Sequence, residues 1–246
     1  MSTSTKNIIV GAADLFISNV NGDARPNTDN TTLANILPSG TSARTGLLAS
    51  ADYREVGFTN TGLEVSYEPN YGEVMVDQLL DAARLFKQSL KVLLKSELTE
   101  ATLENLTLTW GQMDSYYVNT TGSAINAVPT YSAVKVQSAD SAGATLNLAA
   151  GALGDAPVER TLIAVGNAPA YTKGSSFGSA GAQTGRQKER VYVARRVVAI
   201  DTTMHALKRD AATVFPVNFR CLPDDRSNSY AGSEYGVVID RVFGSM

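Results

Sequence analysis

Residues 53–100 read YREVGFTNTGLEVSYEPNYGEVMVDQLLDAARLFKQSLKVLLKSELTE, and this stretch decides the fold class. A β-rich run precedes Thr59-Asn60-Thr61-Gly62, whose composition is that of a turn, and an alternating run follows it. In the second run Leu63, Val65 and Tyr67 fall on one face of a strand and Glu64, Ser66 and Glu68 on the other, by the two-residue period. One buried face and one wet face are expected. Further on, Leu90, Val92, Leu94, Ser96 and Leu98 alternate with Lys91, Lys95 and Glu97, again at strand period. Leu79, Leu80, Ala83 and Phe86 sit at helical spacing, so the middle of the segment fits either element. The reading adopted is a strand, a short bridge and a second strand.

Working outward, TEATLENLTLTWG (99–111) predicts a helix capped by Thr99, with Glu100 and Glu104 near its positive end, Gly111 at its stop, and Leu103, Leu106 and Trp110 on one face. Upstream, residues 8–20 read as a strand and NGDARPNTDNTT (21–32) as a loop. Downstream, about 112–160 is rich in Ala, Gly, Ser, Thr and Asn and reads as an elaborated connection; 173–185 is Gly-rich and separates two β-rich regions. RVYVARRVVAID, ALKRDAATVFPVNFRCLPDD and SEYGVVIDRVF then predict three or four strands. Pro216 has no amide to donate, which places it at an edge, a bulge or a strand start. With no repeat and no clean linker, residues 1–246 are expected to form a single β-dominated domain with one principal helix.

The 246 residues are 43% apolar and 18% charged, with a net charge of -3. That balance lacks the positive field of a non-specific duplex binder. Cys221 is the only cysteine, which rules out an intrachain disulfide and suits a reducing cytoplasm. No secretory signal is visible, and apolar runs such as VYVARRVVAI are broken by arginines, so no membrane span is expected.

Catalytic patterns are missing from the chain. His205 is the sole histidine and lacks partners at the spacing of a zinc site or an acid/base pair, so a structural role is expected. Asp224-Asp225 after Leu-Pro reads as a solvated turn rather than a metal ligand pair. The glycines of 174–185 match neither phosphate-binding pattern, and GSSFGS is not a nucleophile elbow. Asn119-Thr120-Thr121 matches a glycosylation acceptor that a chain without a secretory route would not use. The stretch RQKERVYVARR gathers Arg186, Lys188, Arg190, Arg195 and Arg196; it suits pairing with an acidic neighbouring surface at least as well as contact with nucleic acid. No catalytic residue, metal or cofactor is expected.

Two blocks resemble the major tail tube subunits of long, non-contractile (siphovirus-type) phage tails. The first is REVGFTNTGLEVSYEPNYGEVMVDQ running into LKVLLKSELTEATLENLTLTWG, with Val56, Gly57, Thr59, Gly62, Asp77, Gln78, Glu100, Thr102, Leu103, Asn105 and Leu106 in the family's order of elements. The second is FPVNFRCLPDD with GSEYGVVIDRVF, where Phe215, Pro216 and Phe219 lead to Leu222 and Pro223. About half the chain is covered; 112–160 and 173–185 depart from the pattern.

The resemblance implies a β-sandwich or split barrel with one flanking α-helix, the tail-tube (type VI tube-like) fold. It also implies a homo-hexameric ring stacking into a hollow tube that passes double-stranded DNA without holding it. Edge-to-edge joining of neighbouring sheets would satisfy open strand edges. Four strands from each of six subunits would close a barrel about 45–50 Å across. Glu64, Ser66, Glu68, Lys91, Lys95 and Glu97 are the expected lumen-facing residues; Arg186, Lys188, Arg190, Arg195 and Arg196 are the expected inter-subunit contacts. Tape-measure and tail-tip or terminator proteins are the implied partners, and the virion tail, assembled in the host cytoplasm, is the implied location. The alternatives are a ring protein of a contractile tail or type VI apparatus, a virion decoration or adhesion module, and, from another class, a small-molecule-binding or hydrolytic β-domain.

Overall fold

The structure is a computed structural model that describes residues 13–19, 24–38, 40–75, 77, 81–112, 117–119, 144–146, 148, 153–154, 156–168, 187–200, 204–206, 209, 212–226 and 230–243. Arg186, Gln78, Leu79, Leu80, residues 8–12, most of 112–160 and all of 173–185 lie outside this set. In chain order the strands are β1 (Asp14–Ser18), β2 (Tyr53–Glu55), β3 (Glu64–Val74), β4 (Arg84–Leu98), β5 (Tyr117–Asn119), β6 (Ala144–Leu146), β7 (Glu159–Asn167), β8 (Gln187–Ala199), β9 (Phe215–Cys221) and β10 (Gly236–Phe243). The helices are α1 (Asn30–Ile36), α2 (Ala43–Ala49) and α3 (Leu103–Thr109).

Eight strands form one antiparallel sheet in the order β2-β1-β7-β8-β9-β4-β3, with β10 added on β8; β5 and β6 pair apart from it. The sheet forks at β8. On one edge β8 meets β7, while on the other Gln187–Ala194 pairs with β10 and Val197–Ala199 pairs with β9. Pro216 is the second residue of β9, opposite Glu97 and before the stretch that reaches β8, so its missing amide falls at a strand start as expected.

In a flat sheet β1 and β4 would stand about 19 Å apart, four strand spacings away. Leu15 and Ile17 of β1 nevertheless share a core with Leu94 and Leu98 of β4, Leu162 of β7, Val197 of β8, and Phe215, Val217 and Phe219 of β9. The sheet therefore curls around this core. The chain leaving β2 carries the curl across: the Val56 amide donates to Leu15 O at 2.9 Å, then Asn60 N donates to Glu97 O at 2.8 Å and Thr99 N to Phe58 O at 3.0 Å. The opposite face of β1, β7 and β8 presents Phe16, Ile163, Val165, Val191 and Val193 to Leu33, Ile36 and Leu47 from α1 and α2. Burial on both faces explains why β1 and β7 read as unbroken apolar runs.

Gly57 stands at the corner of this crossing with φ +86. A Cβ there would lie 2.1 Å from the Glu100 carboxyl carbon, whose carboxylate accepts the Phe58 amide at 3.0 Å. Gly57→Ala is expected to lower stability by about 2–4 kcal/mol, combining left-handed backbone strain with loss of that hydrogen bond. Chemical denaturation checks this; Gly57→Ala in a Glu100→Ala background should lose less.

The expectation of one principal helix is corrected to three among the described residues, each of seven residues. Two begin inside turn-rich sequence. Asp29 accepts from Thr32 N and opens α1 within the stretch read as loop, and Ser42 accepts from Thr45 N to open α2. The cap of α3 is Thr102, not Thr99, because the Thr99 amide and hydroxyl are both committed to Phe58 O. The face that α3 buries carries Asn105, Leu108 and Thr109; Leu103, Leu106 and Trp110 are half-buried. His205 packs between Trp110 and Phe215, with ring centroids 5.9 and 4.8 Å away.

Candidate functional site

The feature that the core does not explain is the β3–β4 hairpin. Only Val92–Leu98 of β4 pairs with β9, so from Glu68 and Lys91 outward the two strands have no neighbour but each other among the described residues. The ribbon continues to Val74 and Arg84 as a projecting arm. A bulge at Asn70/Tyr71 flips the partner register, and beyond it Phe86 lies across Gly72, where a Cβ would come within 2.6 Å of the ring. Pro69 sits on β3, the outer strand of the pair, where a missing amide disrupts nothing.

The expected burial of Leu63, Val65 and Tyr67 is corrected here. Leu63 is half-buried, but Val65 is 47% and Tyr67 60% exposed, because the strand runs past the end of the core it would cover. Tyr71 (55%), Leu85 (60%) and Phe86 (45%) continue the apolar exposure toward the tip. Lys87 lies 5.3 Å from the centre of the Tyr67 ring and donates to its hydroxyl at 3.0 Å; that hydrogen bond raises the lysine's pKa. At the root of the arm, Ala13, Asn60, Leu63, Val65, Gly166 and Tyr192 line an open cleft of about 420 Å³. Its polar walls are the amides of Asn60 and Asn167 and the hydroxyls of Thr59, Thr61 and Tyr192.

The six residues expected to face a lumen do come together. Glu64 is opposite Lys95, Ser66 opposite Leu93 and Glu68 opposite Lys91, with Glu97 next along β4, so all lie on one face of the hairpin. Ser66 Oγ donates to Glu68 at 2.8 Å, and Asn60 Nδ2 donates to Glu97 at 2.8 Å. The face is a ladder of opposed charges. Opposite-charge cross-strand pairs of this kind contribute roughly 0.2–1 kcal/mol each and fix the register.

The arginine stretch divides. Arg190 makes a two-pronged pair with Asp240, at 2.5 and 2.7 Å, on the outward side of β8 and β10. Arg196 pairs with Glu159, and Lys188 is half-buried on β8. Arg195 is 1% exposed and cannot serve as a contact to another subunit. Its guanidinium stacks on Tyr230 at 4.0 Å and donates to Thr28 O and Oγ1 and to Ser233 O and Oγ. Burial disfavours its charge and lowers its pKa, against the attraction of Tyr230 and Asp224. Sequence could not reveal this: an arginine between apolar strand residues reads as a snorkelling side chain until the segments around Thr28 and Tyr230 fold over it.

Asp224, read from sequence as part of a solvated turn, is instead 1% exposed. Burial opposes its ionisation, but hydrogen bonds from Arg226 and attraction to Arg25 more than offset this, and its pKa falls below the ordinary aspartate value. An acid with a depressed folded-state pKa contributes stability that is present above its unfolded pKa of about 3.9 and lost as pH falls through the folded value. Glu189 has the opposite sign: burial raises its pKa despite the Ala43 amide and Arg241. Denaturation between about pH 5 and pH 2 is therefore expected to show a shallower acid loss in Asp224→Asn than in the native chain. Equal slopes would refute this assignment.

Among the described residues no group of three or more His, Cys, Asp and Glu is placed to hold a metal ion, and no helix is long and apolar enough to cross a membrane. No protein-family model matches the chain, and no curated protein is similar to it.

Proposed function

We propose that this protein is the structural subunit of a phage-type tail tube, assembling as homo-hexameric rings that stack into a conduit for double-stranded DNA. The observation that carries the proposal is the arm: a two-stranded ribbon with apolar side chains exposed on both faces. An isolated hairpin is marginally stable in water and needs further strands or a packing partner. Copies of the same chain, arranged around a hole, supply one. The curled sheet with a forked strand suits the split barrel that the resemblance implies, and the Glu-Lys ladder at the root of the hairpin suits a lumen. Each lysine on that face is matched by a carboxylate, so phosphate affinity is muted and passing DNA is not held.

Negative-stain electron microscopy of purified protein at rising concentration tests the proposal. Smooth tubes or ring stacks are expected; a monomer at every concentration overturns it, and short stacks without tubes favour a ring protein of a contractile or type VI apparatus. The lumen assignment has its own test. Glu64→Lys with Glu68→Lys moves the face by two charges at each position and sets like charges opposite Lys91 and Lys95. Virions carrying the pair should assemble but release DNA slowly; normal release would count against the assignment.

A further inference from the structure

The chain's open strand edges are not equally defended. Natural edge strands are protected by shortness, proline, bulges or lysine. β2 has three residues, and the outer half of β3 carries Pro69 and faces a bulge on β4, where Gln88 has no partner in the register. β10 is neither short nor broken by proline, bulge or lysine: Gly236–Phe243 reads GVVIDRVF, its two charges, Asp240 and Arg241, are committed to Arg190 and Glu189 of β8, it pairs with β8 along its whole length without a register shift, and it has no described strand on its other side. Its Val238 and Val242 are 61% and 49% exposed on the face that also carries Tyr192 of β8. An edge of this kind left open would be an aggregation site.

We infer that the free edge of β10 is a strand-addition site whose occupant is the root of β3, Glu64–Glu68, from a second copy of this chain. The occupant must bring an open edge of its own, because only a strand satisfies a row of unpaired amides and carbonyls. The root of β3 is uninterrupted before Pro69 and is longer than β2. Pairing β10 with β10 would leave β3 open in both copies, whereas the five residues of the β3 root on β10 engage an edge of each strand at every contact. The joined sheet would also set exposed Val65 and Tyr67 beside exposed Val238 and Val242. The contact joins unlike surfaces, so it propagates into a ring or a filament and does not stop at a dimer. The identity of the partner rests on the assembly reading above.

The test mixes Val65→Cys or Tyr67→Cys protein with Val238→Cys or Val242→Cys protein under mild oxidation. Cys221 is buried, with its thiol pKa pushed up to about 12 by that burial, and gives no background. Disulfide-linked pairs are expected in at least one mixture and in no single-variant sample. Val238→Lys, at an exposed side chain, should leave the far-ultraviolet circular dichroism unchanged and raise the concentration needed for assembly at least tenfold. Linkage in Val238→Cys alone, linkage in Val65→Cys alone, or no linkage in any mixture overturns the assignment. Tubes without β3–β10 linkage would overturn this contact and leave the tube reading standing; linkage in particles that never form tubes would do the reverse.

Discussion

Joining Glu68 directly to Lys91 through an Asn-Gly turn should leave a folded, soluble body that no longer assembles. The two residues face each other across the hairpin, so a two-residue turn restores the register while removing the arm beyond them. Val92–Leu98 of β4 keeps its pairing with β9, and Leu94 and Leu98 keep their places in the core, so the melting temperature should move by only a few degrees. The critical concentration for assembly should rise at least a hundredfold, because the shortened chain no longer exposes Tyr71, Leu85 and Phe86. Sedimentation velocity and electron microscopy on the same preparation separate the two effects. A shortened protein that still forms tubes removes the arm from the assembly mechanism.

Arg195→Ala should be the most destabilising single substitution in the body, at about 3–5 kcal/mol. The guanidinium ties β8 to two distant segments: Thr28, in the loop before α1, and Ser233, in the turn before β10. Its loss leaves the Thr28 and Ser233 carbonyls without this donor and opens a void against Tyr230, whose hydroxyl accepts the Thr28 amide at 3.0 Å. Arg195→Lys should recover only part, since a point charge cannot reproduce a planar fork that reaches both carbonyls while stacking on a ring. Urea denaturation of the three proteins measures the order. A loss below about 1 kcal/mol for Arg195→Ala would show that the network is dispensable.

The alternation of β4 was legible from local sequence. Leu94, Ser96 and Leu98 are buried, and Lys91 and Lys95 exposed, in the alternation expected of them. The sequence placed a strand on either side of a short bridge; that the two pair with each other is what the structure adds. Two helices escaped notice although α3, of the same length, did not, because the side chains that cap them, Asp29 and Ser42, stand in turn-rich sequence and are equally at home in turns. A helix that short is held by the sheet it packs on, and packing partners far away in sequence leave no local mark.

What the sequence by itself determined was the strand-rich character, the kinds of position at which Pro216 could be tolerated, and two wet strand faces, one carrying Glu64, Ser66 and Glu68 and the other Lys91, Lys95 and Glu97; that the two strands pair and bring all six residues onto one face was left to the register. These follow from the two-residue period and from backbone donors, which act over a few residues. Only the tertiary structure decided that Val65 and Tyr67 face solvent, that Arg195 and Asp224 are enclosed, and that the chain beyond β2 closes the curl onto β4. Burial depends on where the sheet ends and what folds over it. That is set by contacts between segments as distant as Thr28 and Arg195, which no local pattern encodes.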